Sequence, residues 1–330
     1  MNKANPPYTI TLRTADYLAK ILEMAMHLEH VAGFARNIKL HRENRLRTIH
    51  SSLAIEGNTL TLDEVAAVIE GKLVAGKQIE IKEVKNAYEA YDKIMSFDPF
   101  KLTDFLKAHQ LMMQGLVAEA GQFRNGDVGV FDGDTVVHMG ARPQFVPQLM
   151  VDLFTWARAS ELHPVIKSAV LHYEIEIIHP FADGNGRMGR LWQTLMLASW
   201  KAFFAWIPME SVLNQNRPQY YDAITDSRKM NDSAVFIEFT LAALYDVMQK
   251  QDILRGNAQV TAQDNEQDRN EKILAFCKIA RSRDEIQSFI GIAHREYFRT
   301  KILKPLLEAG KLRMTIPDKP NSKNQKYIKN

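Results

Sequence analysis

Twelve consecutive positions, His179-Pro180-Phe181-Ala182-Asp183-Gly184-Asn185-Gly186-Arg187-Met188-Gly189-Arg190, bring together an imidazole, a carboxylate, a glycine-rich turn and two guanidiniums. A Gly-Asn-Gly turn that opens a helix exposes backbone N–H groups at the positive end of the helix dipole, which favours a phosphate there. Arg187 and Arg190, three residues apart, share a helix face and can add bidentate contacts to the same polyphosphate. Asp183 suits a magnesium ion, which takes one or two protein carboxylates and completes its shell with phosphate oxygens. His179 supplies the imidazole that is the candidate to deprotonate an attacking hydroxyl. Together these groups suit phosphoryl chemistry.

Gly184, Gly186 and Gly189 also spell G-x-G-x-x-G, the dinucleotide fingerprint, which requires a preceding strand. Tyr173, Ile175 and Ile177 alternate as a strand would. Over a longer window, however, Ile166, Ala169, Val170, Tyr173 and Ile177 follow helical spacing, and the redox reading falls with the strand.

The segment resembles the Fic family, whose signature H-x-F-x-[D/E]-G-N-G-R-x-x-R is met at every fixed position, by His179, Phe181, Asp183, Gly184, Asn185, Gly186, Arg187 and Arg190. Most Fic proteins transfer AMP from ATP to a hydroxyl of a target protein. The resemblance implies His179 as general base, Asp183 as magnesium ligand and Phe181 as a buried anchor. It puts Gly184 to Gly186 on phosphate oxygens, the Asn185 side chain near the α-phosphate, and Arg187 and Arg190 on the β- and γ-phosphates. Relatives also transfer UMP, phosphocholine or phosphate, so another phosphate-containing group is an alternative to AMP.

Far upstream, Ser52 and Glu56 are four apart and share a face if helical, with Gly57-Asn58 reading as the helix end. Alone this is an ordinary terminus. Beside the signature it resembles the inhibitory [S/T]-x-x-x-E-[G/N] helix of Fic proteins that carry their brake N-terminal to the core. That resemblance implies Glu56 pairing with Arg190 to block seating of the γ-phosphate.

The elements that must position these groups read as mainly α. Apolar spacing near 3.6 runs from about Thr14 to His50, Asp63 to Ile94 and Lys101 to Ala118, and Thr61-Leu62-Asp63-Glu64 is a capping box. The exception is Asp127 to Phe131 and Thr135 to His138, β-favouring runs around Asp132-Gly133-Asp134. In Fic relatives a hairpin here, the flap, aligns the target segment by backbone pairing, here through Val128, Val130 and Val136. Tyr220 and Tyr221 resemble a Tyr-Tyr pair near the family's adenine pocket, so one of them is expected on the base, although the residue seven beyond Tyr221 is Arg228 where some relatives have Asn.

The fold expected is a Fic-type helical bundle with a short β-hairpin flap plus a C-terminal winged helix-turn-helix domain. Residues 1–96 would be N-terminal helices carrying the inhibitory motif, 97–252 the catalytic core, 253–268 a polar linker and 269–330 the winged helix. In the last, 270–279, 282–289 and 293–309 read as helices, with 312–316 and 325–328 as wing strands. From Gly291 to Asn330 ten basic and three acidic residues give a net of +7 in a chain of +3. A helix bearing His294, Arg295, Arg299 and Lys301 could enter a major groove, although winged helices also bind proteins and dimerise. A DNA-binding regulator with an accessory Fic-like core is therefore a second expectation, with autoAMPylation and a homodimer also in view. At 330 residues, 46% hydrophobic and 25% charged, with a lone Cys277 and no apolar run of membrane length, the composition agrees with a soluble multi-domain enzyme of the cytoplasm without disulfides or a membrane span.

Overall fold

The computed structural model describes residues 5–30, 38–132, 135–290, 295, 298–319, 322 and 325–330; side chains are described in these ranges except at 30, 130–132, 135–138 and 252–268. The chain divides into two compact units, Met1–Gln251 and Asp252–Asn330. No helix among the described residues is long and apolar enough to cross a membrane.

The first unit is helical apart from one hairpin. Helices α1 (Leu12–His30), α2 (Ile38–Ile55), α3 (Leu62–Ile69), α4 (Gln78–Asp92) and α5 (Leu102–Met113) precede strands β1 (Gly129–Asp132) and β2 (Thr135–Met139). After them come α6 (Val146–Ala159), α7 (Pro164–Ile178), α8 (Asn185–Trp200), α9 (Met209–Gln215), α10 (Arg217–Met230) and α11 (Ala234–Phe276). The expected run from Asp63 to Ile94 is broken between α3 and α4, where Gly71 (φ 74°) leaves the helical region. Thr61 starts α3 through the capping box, accepting from the Glu64 N–H while the Glu64 carboxylate accepts from the Thr61 N–H. N-terminal helices and catalytic motif lie in one compact unit.

Helices α7 and α8 pack along each other at its centre and are buried on almost every face. Residues 173–177 are helical, so the strand that a dinucleotide fold needs is absent from this segment. Trp192 of α8 meets Phe105 of α5 edge-on at 5.0 Å, and its indole N–H donates to the Pro99 carbonyl. Phe181 lies 5.3 Å from Phe105, which ties the loop between α7 and α8 into this aromatic core.

The polar segment 253–268 lies within α11. Its Leu, Arg, Ala, Gln and Glu residues favour helix and no proline interrupts it, although Gly256 and the two Asn are weaker helix formers. In the second unit β3 (Arg281–Ser282) leads into α12 (Arg283–Phe289), a π-helical turn at Phe298–Leu303 leads into α13 (Lys304–Glu308), and β4 (Leu312–Met314) and β5 (Lys326–Lys329) follow. The sheet is antiparallel in the order β3-β5-β4. Strand β3 was not expected from the sequence, and the helix expected over 293–309 is not one regular α-helix. Pro305 lacks the N–H that would bond back to Lys301, which accounts for the change of helix type there. His294 lies outside the described residues.

Candidate functional site

His179 ends α7 in the left-handed region, at φ 53° and ψ 61°, a conformation that costs a non-glycine residue about 1–2 kcal/mol. Its surroundings hold it there. The His179 N–H donates to the Ile175 carbonyl (2.9 Å) and the His179 carbonyl accepts from Arg124 Nε (2.7 Å). His179 Nδ1 lies 3.2 Å from the Glu176 carbonyl, which can only accept, so Nδ1 carries the proton and Nε2 is left as a base.

Arg124 is the hub of this corner. Besides His179 it donates to the carbonyls of Gly126 (2.7 Å), Ala141 and Ile178, joining the end of α7 to both ends of the hairpin. Sequence reasoning missed it, since a single arginine after Gly121-Gln122-Phe123 looks like any loop cation. Arg124→Ala removes the donor these mostly half-buried carbonyls share, the Ile178 carbonyl keeping the Ala141 N–H, and should cost about 1–3 kcal/mol of stability in thermal or denaturant unfolding. Lysine should not restore it, because an ammonium cannot span the same carbonyls as the planar fork.

The loop after His179 is braced from within. Both ends of the Asn185 amide bond the Phe181 backbone, Oδ1 accepting from its N–H and Nδ2 donating to its carbonyl, each at 2.9 Å. Asn185 is therefore a structural clasp, with the second hydrogen of its Nδ2 not used in this clasp. Phe181 is fully buried, as expected of an anchor, and His109 of α5 stacks on it with ring centroids 3.5 Å apart. His109 Nδ1 accepts from the Gly121 N–H (2.9 Å), so Nε2 donates to the Asp183 carbonyl (3.0 Å). Burial, helped by the nearby Arg187 charge, lowers the His109 pKa to about 4, so this brace is neutral at physiological pH.

Gly184, at φ 87°, turns the chain into α8, whose first N–H groups have no partner within the helix. Arg187 and Arg190 point back toward this terminus and are almost wholly buried. Asp183, with 55% of its side chain exposed, bonds the Gly184 N–H through Oδ1 (2.6 Å) and Arg187 Nη2 through Oδ2 (3.0 Å).

Glu56 meets Arg190 Nη2 at 2.6 Å. The Ser52 hydroxyl accepts from Arg190 Nε (3.2 Å) and the Ser52 carbonyl from Nη2 (3.0 Å), so both ends of the upstream pair grip one guanidinium. A Cβ on Gly186 would fall 2.5 Å from Glu56 Oε1: the carboxylate sits directly over the turn where an anion would be bound. Burial alone would lower the Arg190 pKa, but Glu56, Tyr220 and Glu176 more than offset it and hold the guanidinium charged. Arg217 and Tyr221 of α10 clasp the same helix end, donating to the carbonyls of Ala54 and Ile55 at 3.3 Å each.

The two tyrosines separate. Tyr220 is 1% exposed and its hydroxyl is committed to His172 Nε2 (3.0 Å) and Glu176 (3.2 Å), so no ring face is open to a base. It is a core residue. Tyr221 is 41% exposed and is the member of the pair with an accessible ring.

Strands β1 and β2 pair antiparallel with a register shift between Val130 and Phe131, and Gly140 N–H to Val128 O (3.0 Å) extends the ladder. Val128 is half-buried; the side chains of Val130 and Val136 lie outside the described residues.

The Fic/DOC family matches residues 99–197, and the C-terminal domain of Fic-like proteins (filamentation induced by cAMP) matches 271–328. The crystal structure of a Fic family protein from Desulfovibrio desulfuricans G20 is 41% identical, covers 99% of this chain and 98% of its own, and superposes with a TM-score of 0.75. The chain belongs to the Fic family. Fic-1 of Caenorhabditis elegans shares the fold at 21% identity, with a TM-score of 0.63 over 74% of this chain and 73% of its own. Among curated relatives, the protein adenylyltransferase Fic of Nematostella vectensis is 31% identical over 60% of this chain and 46% of its own length. The fic-1 adenylyltransferase of C. elegans is 28% identical over 52% and 34%. This Fic chain thus spans less than half the length of those two relatives.

Proposed function

We propose that this chain is a protein adenylyltransferase that moves AMP from ATP to a Ser, Thr or Tyr hydroxyl of a target protein and is held in check by Glu56. The observation that carries the reading is the seating of the Glu56 carboxylate on Arg190, over the N-terminus of α8. An acid occupies an anion site built from backbone N–H groups and guanidiniums. The curated relatives' names support adenylyl transfer.

In the reaction the target oxygen forms a bond to the α-phosphorus, the bond from that phosphorus to the β-phosphate bridging oxygen breaks, and the hydroxyl proton passes to His179 Nε2. The products are a phosphodiester-linked AMP on the target and pyrophosphate. The turn Gly184 to Gly186 faces phosphate oxygens with the Asn185 and Gly186 N–H groups, the Gly184 N–H being held by Asp183, while Arg187 and Arg190 bear on the β- and γ-phosphates and stabilise the departing charge. The solvent-facing Asp183 carboxylate suits magnesium, which when bound with the nucleotide neutralises phosphate charge. Among the described residues no group of three or more His, Cys, Asp or Glu side chains could hold a metal alone, so such an ion would depend on nucleotide oxygens. Tyr221 offers a ring to the adenine, and the flap's strand edge pairs with the target backbone.

The same proposal divides the chain at the end of the catalytic unit. Its C-terminal unit is read as a winged helix-turn-helix, supported by the order β3-α12-helix-β4-β5. The net +7 of residues 291–330 supports an acidic partner such as DNA, and the single buried cysteine is compatible with the reducing cytoplasm.

The test is transfer from ATP labelled at either end, with magnesium, to the Glu56→Gly variant and candidate targets. Label from the α-position should enter protein and label from the γ-position should leave as pyrophosphate. Protein carrying the γ-label would instead identify phosphate transfer.

A further inference from the structure

We infer that Glu83 is a second restraining carboxylate, on the other motif arginine, and that Asn58 couples it to Glu56 so that the brake acts on Arg187 and Arg190 together. This rests on the reading of the site as a nucleotide site restrained by Glu56.

Glu83 stands on α4 and reaches Arg187 Nη1 with Oε1 at 3.1 Å. Its other oxygen accepts from Asn58 Nδ2 at 2.8 Å. Asn58 follows Glu56 by two residues and lies in the turn that ends α2, where the Gly57 N–H bonds Ala54 O and the Asn58 N–H bonds Leu53 O. The Asn58 side chain is fixed at both ends, with Oδ1 accepting from the Leu60 N–H (3.1 Å) and Nδ2 also donating to the Glu80 carbonyl (3.2 Å). Thr59 adds a bond to the Glu80 carboxylate at 2.8 Å. The segment carrying Glu56 is thereby bolted to the helix that carries Glu83.

Arg187 is only 3% exposed and already spans two carboxylates, Glu83 and Asp183, yet its Nε is buried without a hydrogen-bond partner. A buried guanidinium short of an acceptor is poised for an anion at the adjacent helix N-terminus. A triphosphate arriving there meets Glu83 as a competitor for Arg187, as it meets Glu56 for Arg190. When Glu83 swings off Arg187, Asn58 loses one of the bonds that hold the end of α2, keeping the one to the Glu80 carbonyl, so release of Arg187 favours release of Arg190. Nothing in the sequence marked Glu83, which sits in a Lys- and Glu-rich stretch that reads as a solvated helix face.

The test is a mutant cycle. Glu83→Gln keeps the shape but can satisfy only one of its two donors, and Asn58→Ala cuts the joint without touching either arginine. Each is made alone and with Glu56→Gly, and AMP transfer and the Kd for ATP are measured. With Glu56 present, both variants should raise transfer about tenfold and tighten ATP, whereas with Glu56 removed neither should add more than about twofold, the non-additivity of parts acting together. No change with Glu56 present, an equal gain in both backgrounds, or a loss in both would overturn the coupling. A loss in both would mean that Glu83 merely orients Arg187. Should Glu56→Gly itself transfer nothing, the adenylyl-transfer reading fails, and the ATP affinities still decide the coupling by the same cycle. Matched unfolding midpoints, or the Asn58 variant where the Glu83 one is unstable, separate the result from misfolding.

Discussion

Glu56→Gly should raise AMP transfer roughly 10- to 100-fold over the native chain, the range expected when a charge-assisted hydrogen bond worth about 1.5–3 kcal/mol no longer opposes the substrate. The asymmetry of the pair supports this direction. Arg190 has 1% of its side chain exposed and is tied to Ser52 as well, whereas the Glu56 carboxylate is 30% exposed and can swing out. Removing the acid leaves a buried guanidinium with its Ser52 bonds and the Glu176 carboxylate near the Gly186 turn, but without its direct ion pair. Breaking such a buried pair costs about 3 kcal/mol of stability. The variant should therefore melt earlier than the native chain without nucleotide, and ATP should recover more of its stability, because ligand that binds only the folded form stabilises in proportion to ln(1 + [L]/Kd). Transfer assays with labelled ATP and paired melting curves check both halves. An active variant that ATP does not protect would contradict the account of Arg190 as the shared partner.

Replacing His179 by alanine in that activated background should cost about 10²- to 10⁴-fold in the transfer rate, the contribution of a positioned general base. ATP affinity should change little, since the imidazole is turned by its Glu176 bond to present Nε2 and does not brace the N–H cradle. Single-turnover rates and calorimetry on the double variant separate the two quantities. Parallel losses in rate and affinity would show that His179 works by holding the loop, as its left-handed backbone and its bond from Arg124 would then imply.

What the sequence disclosed was whatever lay close together along the chain. Residues 179–190 could be read as a site because their spacing alone puts base, acid, turn and guanidiniums at one helix start. Ser52 and Glu56 could be paired by helical spacing, although only the family resemblance supplied Arg190 as their partner. Arg124, His109 and Glu83 stayed hidden because their meaning lies in tertiary contacts across 55, 74 and 104 residues of sequence. Each is a common residue in an unremarkable setting. Tyr220 and Tyr221 look equivalent in one dimension, and only the packing of α10 against α7 buries the first and leaves the second open. Asn185 shows a role spacing could not disclose: its amide closes the loop on Phe181, because a loop entering a buried helix needs its own polar backbone satisfied. Helical periodicity gave most elements and missed the two-residue strand β3, which carries no alternation to detect.

On the proposed reading Glu56 and the γ-phosphate compete for Arg190. Comparing the calorimetric affinities of ADP and ATP, with magnesium, for the native chain and for Glu56→Gly tests it most directly. With the carboxylate in place the third phosphate should add almost nothing, so the two nucleotides bind alike; without it ATP should bind clearly tighter than ADP. An identical ADP-to-ATP ratio in both proteins would contradict the account.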